Sequence, residues 1–315
     1  MSVSNRRENI LETVVICGPT AGGKTALSIK LAEHYALEII SADSRQVYRG
    51  MDIGTAKATA EQRARVPHHL IDVVNPDEDF SASDFLRRGR SALTAIIGRC
   101  RLPLVVGGTG LYIDALLHGL VEAPAANPIL RMALAEWESR QGPGSLQDRL
   151  RSVDPEMAAR LKGADRVRII RALEVFYLSG QRLTDLQRRH STKTSPCRAL
   201  MLGVMPGRDL LYDRINRRVE EMFEDGLVKE TENLLARGYS PEMKALKTIG
   251  YRECIQYLKG RMTQQQAKEQ IQRDSRRYAK RQLTWFRRRP EIIWLDSPRE
   301  FAKVLKLIDH FTMFT

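Results

Sequence analysis

Gly18-Pro19-Thr20-Ala21-Gly22-Gly23-Lys24-Thr25 fits the pattern G-x-x-x-x-G-K-[ST]. Ahead of it runs Val14-Val15-Ile16-Cys17, an apolar stretch that reads as a buried strand. Behind it, Ala26 to Glu33 reads as a helix with one apolar face. Strand, glycine-rich turn and helix is the context that a phosphate loop requires. Backbone N–H groups in such a turn converge on an anion, the helix N-terminus adds partial positive charge, and Lys24 adds a full one. Thr25 can offer its hydroxyl to a bound Mg²⁺. The loop alone does not say what carries the phosphate.

Two further apolar runs extend this start into an α/β sheet. Leu37-Glu38-Ile39-Ile40-Ser41 reads as a strand ending in Asp43. Polar residues just past a strand's carboxyl end are where ligands sit in open α/β sheets, so Asp43 is a candidate for chemistry. A cap on the following turn is the equal alternative. Residues 52–80 read as irregular, broken by Pro67 and by Asn75-Pro76. His68 and His69 lie there, but neighbours in sequence share no helix face and no third ligand is near, which argues against a metal site. Ser81 or Ser83 caps a helix through Ile97. Leu102 to Val106 is the next buried strand, ending in Gly107-Gly108-Thr109-Gly110 and a helix to His118. Hydrolytic phosphate-loop proteins place a carboxylate at such a strand end to hold Mg²⁺. Here glycines and Thr109 stand instead, which suits holding phosphate without the usual ATPase equipment.

From Asn127-Pro128 the pattern is helical to about Arg189, over 128–140, 145–152, 155–162 and 166–179, with no strand between. This predicts an all-helical insertion. Arg168 and Arg171 share a face, fitting either a solvated basic surface or nucleic acid. His190 to Pro196 reads as a return loop and Arg198 to Val204 as a resumed strand. Asp209 is placed to cap a long helix through Glu224. On it Arg214 and Arg218, four apart, suit either a diphosphate or pairing with Asp213, Glu220 or Glu221. After a loop at Gly238 to Pro241, a short helix ends near Leu258, and Thr263 starts a basic helix to Arg289. Ile292 to Asp296 is a last strand, with a helix from Ser297.

The net charge is +13, with a pI near 9.8. Residues 261–290 hold ten Lys/Arg and two acids, so more than half the excess lies in under a tenth of the chain. Tyr278, Trp285 and Phe286 are interleaved there, and basic residues among aromatics suit phosphate contacts with base stacking. Four scattered cysteines indicate neither disulfides nor zinc and fit a reducing cytoplasm. The polar stretch Met1 to Glu12 lacks the apolar core of a signal peptide. No apolar run approaches the roughly 20 residues of a membrane span.

Four blocks in order, GPTAGGKT (18–25), ADSRQVYRGMDIGTAK (42–57), LPLVVGGTGLY (102–112) and KTIGYRE (247–253) with AKRQLTWFRRR (279–289), closely resemble the bacterial tRNA dimethylallyltransferase (isopentenyl-tRNA transferase) family. The likeness runs from residue 13 to about 296, and the second block is its most specific part. The family's loop often carries serine where this chain has Gly22, a small change in a site built from backbone amides.

The resemblance implies an α/β fold, a P-loop NTPase-like core with a parallel sheet flanked by helices, over 1–120 and 195–315. The helical insertion domain would span 121–194. It implies transfer of a dimethylallyl group from dimethylallyl diphosphate to the N6 amine of the adenosine 3′ of the anticodon, in tRNAs reading codons that begin with U. Diphosphate is released, Mg²⁺ takes part and ATP is not hydrolysed. Gly18, Pro19, Thr20, Ala21, Gly22, Gly23, Lys24 and Thr25 would hold the diphosphate, Thr25 touching the metal. Asp43, Thr109, Arg214 and Arg218 would be catalytic, Asp43 as base. The anticodon stem-loop would be met by Asp43, Ser44, Arg45, Gln46, Thr109, Arg131, Val167, Arg168, Ile169, Ile170 and Arg171. Further contacts would come from Lys247, Thr248, Ile249, Gly250, Tyr251 and Arg252, and from Lys280, Arg281, Gln282, Leu283, Thr284, Trp285, Phe286 and Arg287. A cytoplasmic monomer with no membrane partner is expected. Transfer to free AMP, ADP or ATP, a small-molecule kinase and a non-catalytic RNA-binding protein are the rival readings.

Overall fold

The computed structural model describes residues 11–161, 165–192, 195, 197–296 and 300–313. Parts of the N-terminal, 155–162, 190–196 and Ser297 readings fall outside them. In chain order the elements are β1 (Leu11–Cys17), α1 (Lys24–Leu31), β2 (Leu37–Ala42), α2 (Ala60–Arg65), β3 (His68–His69), α3 (Ala82–Gly98), β4 (Leu102–Gly107) and α4 (Gly110–His118). There follow α5 (Pro128–Gln141), α6 (Ser145–Val153), α7 (Pro155–Arg160), α8 (Arg166–Ser179) and α9 (Leu183–Ser191). The chain closes with β5 (Cys197–Val204), α10 (Arg208–Glu224), α11 (Leu227–Ala236), α12 (Tyr251–Leu258), α13 (Gln264–Phe286), β6 (Ile293–Leu295) and α14 (Phe301–Met313). Two compact units form: Met1–Gly119 with Pro196–Thr315, and Leu120–Ser195.

The first unit is one sheet in the order β3-β2-β4-β1-β5-β6, parallel throughout. Its central strand shows why the apolar runs are continuous. Val15 and Cys17 enter one core with Phe85, Tyr112, Phe223 and Phe286, while Val14 and Ile16 enter the other with Leu31, Leu104 and Ile308. A strand covered on both faces has no polar side to alternate with. The phosphate loop follows β1, flanked by the ends of β4 and β5, so the central position gathers several strand ends around one turn.

Three local readings need correction. The stretch 52–80 is not wholly irregular. Thr59 and Gln62 form a reciprocal capping box that starts α2, a helix that buries no side chain and so carries no apolar period. His68 and His69 extend the sheet beside Ile39 and Ile40. His69 lies 2.6 Å from the buried carboxylate of Glu38, which Arg99 also pairs. Arg99 and His69 hold the Glu38 carboxyl at about 2 against its burial, so this pair of histidines is structural. No metal-holding cluster of His, Cys, Asp or Glu exists among the described residues. Asp209 sits inside the first turn of α10, with Gly207 in the cap position. Gly226, in the left-handed region at φ 99°, ends that helix and starts α11, an element the sequence pattern did not reveal. The basic helix ends at Phe286, three residues short of Arg289. No described helix is long and apolar enough to cross a membrane.

The second unit packs α5 to α9 around its own core of Leu134, Leu146, Leu150, Met157, Ile169 and Leu173. Asn127 caps α5 and Asp154 caps α7, each just ahead of a proline at the first helical position. Asp154 also takes the Thr184 N–H and hydroxyl at 3.1 and 2.8 Å, fixing α9.

Candidate active site

The loop after β1 is wound tightly on itself. Gly23 stands at φ 101° immediately before α1, a conformation that Cβ-bearing residues rarely take. Lys24 folds back, its Nζ donating to Gly18 O at 3.1 Å and Pro19 O at 2.7 Å. Burial pulls the Lys24 ammonium from 10.5 to about 8; the charge of Asp43 opposes the shift and Arg218 adds to it. Both guanidiniums of α10 turn to the same loop. Arg218 Nη1 donates to Thr20 Oγ1 at 3.2 Å, and Arg214 Nη1 to Gly22 O at 3.5 Å. Neither pairs with Asp213, Glu220 or Glu221 among the described residues, and Glu220 is taken by Lys268 and Gln272. The geometry therefore favours the anion reading of this arginine pair. Loop and guanidiniums line a cavity of about 690 Å³.

Thr25 lies exposed at the start of α1, and its hydroxyl makes no hydrogen bond among the described residues. A hard cation held there would have Thr25 Oγ1 as one protein ligand and would take the rest from an anion's oxygens and water, which fits the chemistry of Mg²⁺.

Asp43, past the end of β2, caps the turn that follows it. Its Oδ1 accepts the Arg45 N–H at 2.8 Å and the Gln46 N–H at 3.3 Å, fixing the turn. Its Oδ2 accepts no hydrogen bond among the described residues. Asp43 also borders two cavities: the loop cavity and a second of about 300 Å³ walled by Ile215, Val219, Met222, Ile249 and Tyr278 together with Arg45, Arg218, Lys247, Arg252 and Arg281. Thr109, after β4, accepts the Ser44 N–H at 3.1 Å and is hydrogen-bonded to the Tyr278 hydroxyl. Burial, aided by the charge of Asp43, pushes that hydroxyl up to about 12, so it stays protonated at neutral pH. Thr248, on the wall of the smaller cavity, has a buried hydroxyl with no partner among the described residues.

One face of α13 closes the site. Tyr278, Gln282 and Trp285 follow at helical spacing and meet Thr109, Gly108 and Gly110 in turn. A Cβ on Gly108 would come within 2.1 Å of the Gln282 amide, and one on Gly110 within 2.2 Å of the Trp285 ring. The two glycines exist for this close approach. Tyr278 was anticipated only as an aromatic for base stacking, not as the partner of Thr109; its spacing from Gln282 and Trp285 was the available signal. Glu230 of α11 was missed. Its carboxylate accepts the N–H groups of Asp52, Ile53 and Gly54 and the Tyr251 hydroxyl, holding the loop whose Gly54 and Thr55 border the smaller cavity.

The residues expected to meet RNA divide sharply. Val167, Arg168, Lys247, Arg252, Lys280, Arg281, Thr284 and Arg287 are exposed. Ser44, Arg45, Gln46, Thr248, Ile249, Ile170, Leu283 and Trp285 are half-buried. Ile169, Tyr251, Gln282 and Phe286 are not surface contacts: none is more than 6 % exposed, and their helices turn them inward. Gly250 is buried as well. Arg131 and Arg171 are committed to the fully buried Glu174. Arg131 grips it through Nε and Nη2 at 2.8 and 2.9 Å, Arg171 through Nη1 at 2.5 Å, and the Asn127 N–H adds 2.7 Å. Burial raises the Glu174 carboxyl, but these partners more than offset it and hold it at about 2.

A family model described as IPP transferase matches residues 46–289, and one described as isopentenyl transferase matches residues 11–70. Among curated proteins, tRNA dimethylallyltransferase 1 of Syntrophotalea carbinolica is 59% identical over 298 residues, covering 95% of each chain. The tRNA dimethylallyltransferase of Geobacter sulfurreducens is 48% identical over 302 residues, covering 96% of this chain and 97% of its own. Among solved structures, the tRNA isopentenylpyrophosphate transferase of Bacillus halodurans superposes with a TM-score of 0.71 at 42% identity, covering 95% of this chain and 96% of that one. A eukaryotic dimethylallyltransferase acting on tRNA gives 0.77 at 28% identity, over 90% of this chain and 73% of its own.

Proposed function

The chain belongs to the IPP transferase family of tRNA-prenylating enzymes, and from that premise we propose how its own residues divide the work. The donor is dimethylallyl diphosphate. The acceptor is the N6 amine of the adenosine 3′ of the anticodon, in tRNAs that read codons beginning with U. The diphosphate lies on residues 18–25, with Lys24, Arg214 and Arg218 meeting the charge that grows as the allylic C–O bond breaks. Mg²⁺, held through Thr25, supplies further charge neutralisation at the diphosphate when bound. The allylic carbon passes to the adenine nitrogen, the C–O electron pair leaves with diphosphate, and the amine's proton goes to Asp43. Thr109, fixed by Ser44 and Tyr278, orients the reacting groups. Exposed Lys280, Arg281 and Arg287 meet RNA phosphates. The enzyme acts as a cytoplasmic monomer.

The observation that carries this reading is the position of Asp43, which borders both the cationic loop cavity and the smaller cavity, where Ile215, Val219, Met222 and Ile249 stand beside Arg45, Lys247, Arg252 and Arg281. A carboxylate between an anion site and a chamber with apolar and cationic walls suits proton removal from a base of a bound nucleic acid better than activation of water. The reading is tested by incubating the protein with labelled dimethylallyl diphosphate and either unmodified tRNA or AMP. Label in tRNA alone supports it; label in AMP would favour a cytokinin-type acceptor. Asp43→Asn should lower kcat by roughly 10²- to 10⁴-fold with donor affinity unchanged. Unchanged turnover would remove Asp43 from the role of base.

A further inference from the structure

Gln282 is buried on the inner face of α13, with Ala279 and Phe286 on the same side. Its two amide atoms are both used. Oε1 accepts the Thr20 N–H at 2.8 Å, and Nε2 donates to Gly108 O at 3.0 Å. The side chain therefore joins the phosphate loop to the turn after β4, two segments that share no strand pairing at these residues.

The consequence for the loop is specific. The peptide between Pro19 and Thr20 is held at both ends. Gln282 holds its N–H, while its carbonyl, Pro19 O, accepts Gly22 N–H at 3.1 Å and Lys24 Nζ at 2.7 Å. Rotating this peptide would swing Pro19 O away from the ammonium. The same residue's hydroxyl, Thr20 Oγ1, is what Arg218 grips. Losing the Gln282 bond thus loosens the anchor points of both cations at once. A short polar side chain on the loop could not do this, because the N–H must be met from outside the turn.

We propose that Gln282 is a positioning residue of the donor site, shaping the diphosphate loop through Thr20 and Gly108, and not a contact to RNA. This rests on the reading of residues 18–25 as the diphosphate grip. The position of Gly108 supports it from the other side, since any Cβ there would displace the amide. Gln282→Met keeps the length and removes both hydrogen bonds; Gly108→Ala pushes the wild-type amide off its partners.

The test measures binding of inorganic diphosphate with Mg²⁺, binding of unmodified tRNA at fixed salt, and steady-state kinetics, on full-length protein checked for an unchanged unfolding midpoint within a few degrees. Each variant should weaken diphosphate binding and raise the donor KM by roughly tenfold, from the loss of two hydrogen bonds. kcat should fall as well, because the loosened cations meet the charge that grows as the C–O bond breaks, while tRNA affinity should hold and the double variant should be no worse than the worse single one. Weaker tRNA binding with normal diphosphate affinity would overturn the proposal, as would additive effects of the two substitutions. Lys24→Ala serves as the reference. If it binds diphosphate normally, the reading of the loop itself fails; if it loses diphosphate while Gln282→Met does not, only the role of Gln282 fails.

Discussion

Raising the pH from 7 to 9.5 should release the donor. Lys24 is the only ammonium hydrogen-bonded inside the loop among the described residues, and burial with Arg218 nearby lowers it from 10.5 to about 8. An arriving diphosphate adds negative charge beside it and drives its pKa back up, so binding takes up a proton whenever the free loop lacks one. If diphosphate restores the ordinary value of 10.5, affinity falls by up to about tenfold per pH unit above about 8, to a ceiling of roughly 300-fold set by the distance from 8 to 10.5. At pH 8.5 the uptake should be about 0.8 proton per diphosphate bound. Calorimetric titration of the Mg²⁺ complex of diphosphate in two buffers of different ionisation enthalpy gives the uptake, and the excess of wild type over Lys24→Arg reads this number, because the ligand's own ionisation is common to both. Lys24→Arg keeps the charge but does not titrate, so it should lack both that excess and the wild-type fall in affinity. Flat wild-type affinity between pH 7 and 9.5, or equal uptake in Lys24→Arg, would refute the reasoning. The effect on folding has the opposite sign. Between about pH 8 and 10.5 the unliganded native protein holds fewer protons at Lys24 than the unfolded chain, so this group makes stability rise with pH over that window.

In the helical unit, Arg131→Met should cost about 3 kcal/mol in urea unfolding, because it leaves the buried Glu174 short of its bidentate partner. Reduced tRNA binding at unchanged stability would instead make Arg131 a direct RNA contact. Glu174, held at about 2, contributes stability that is full above about pH 4.5 and is lost as pH falls through about 2, so the deficit of Glu174→Gln should shrink on acidification. Replacing exposed Lys280, Arg281 and Arg287 by Gln should flatten the dependence of log K for tRNA on log salt, by about 0.7 for each RNA phosphate no longer neutralised. An unchanged slope would take these residues off the RNA.

The sheet was legible because its strands are buried on both faces, so Val14 to Cys17 and Leu102 to Val106 carry an uninterrupted apolar signal. Helix starts were legible where a capping side chain precedes an apolar period, as at Ser81, Asn127 and Thr263, but not at Thr59, whose short helix buries no side chain. The start of α11 behind Gly226 also passed unread, since no side chain caps it. Loop, Asp43 and Thr109 stood out because their chemistry is local to a strand end. Glu230 did not, and Tyr278 and Gln282 were expected only to face RNA, since their partners lie on distant segments and only the fold brings them together. The resemblance places Arg131 and Arg171 on the RNA, and nothing local in the sequence signals that a single buried carboxylate, Glu174, binds both.

The order in which these parts leave the ribosome sets a constraint on assembly. The central strand β1 is made first, but its neighbours are β4 and then β5, which pairs with it from Cys197 onward. At about 5–20 residues per second, β1 waits several seconds for the first and longer again for the second, while the helical unit is synthesised in between. The guanidinium and amide that shape the phosphate loop, Arg218 and Gln282, are translated later still. A chain released before α13 therefore has the motif but not the shaped loop; β5 lacks its partner β6 and the core that takes Val15 and Cys17 lacks Phe286, which leaves a strand edge and apolar surface for other chains to join. Dependence on chaperones should concentrate in that interval, and a stalled or truncated product should aggregate rather than act as a weak diphosphate binder.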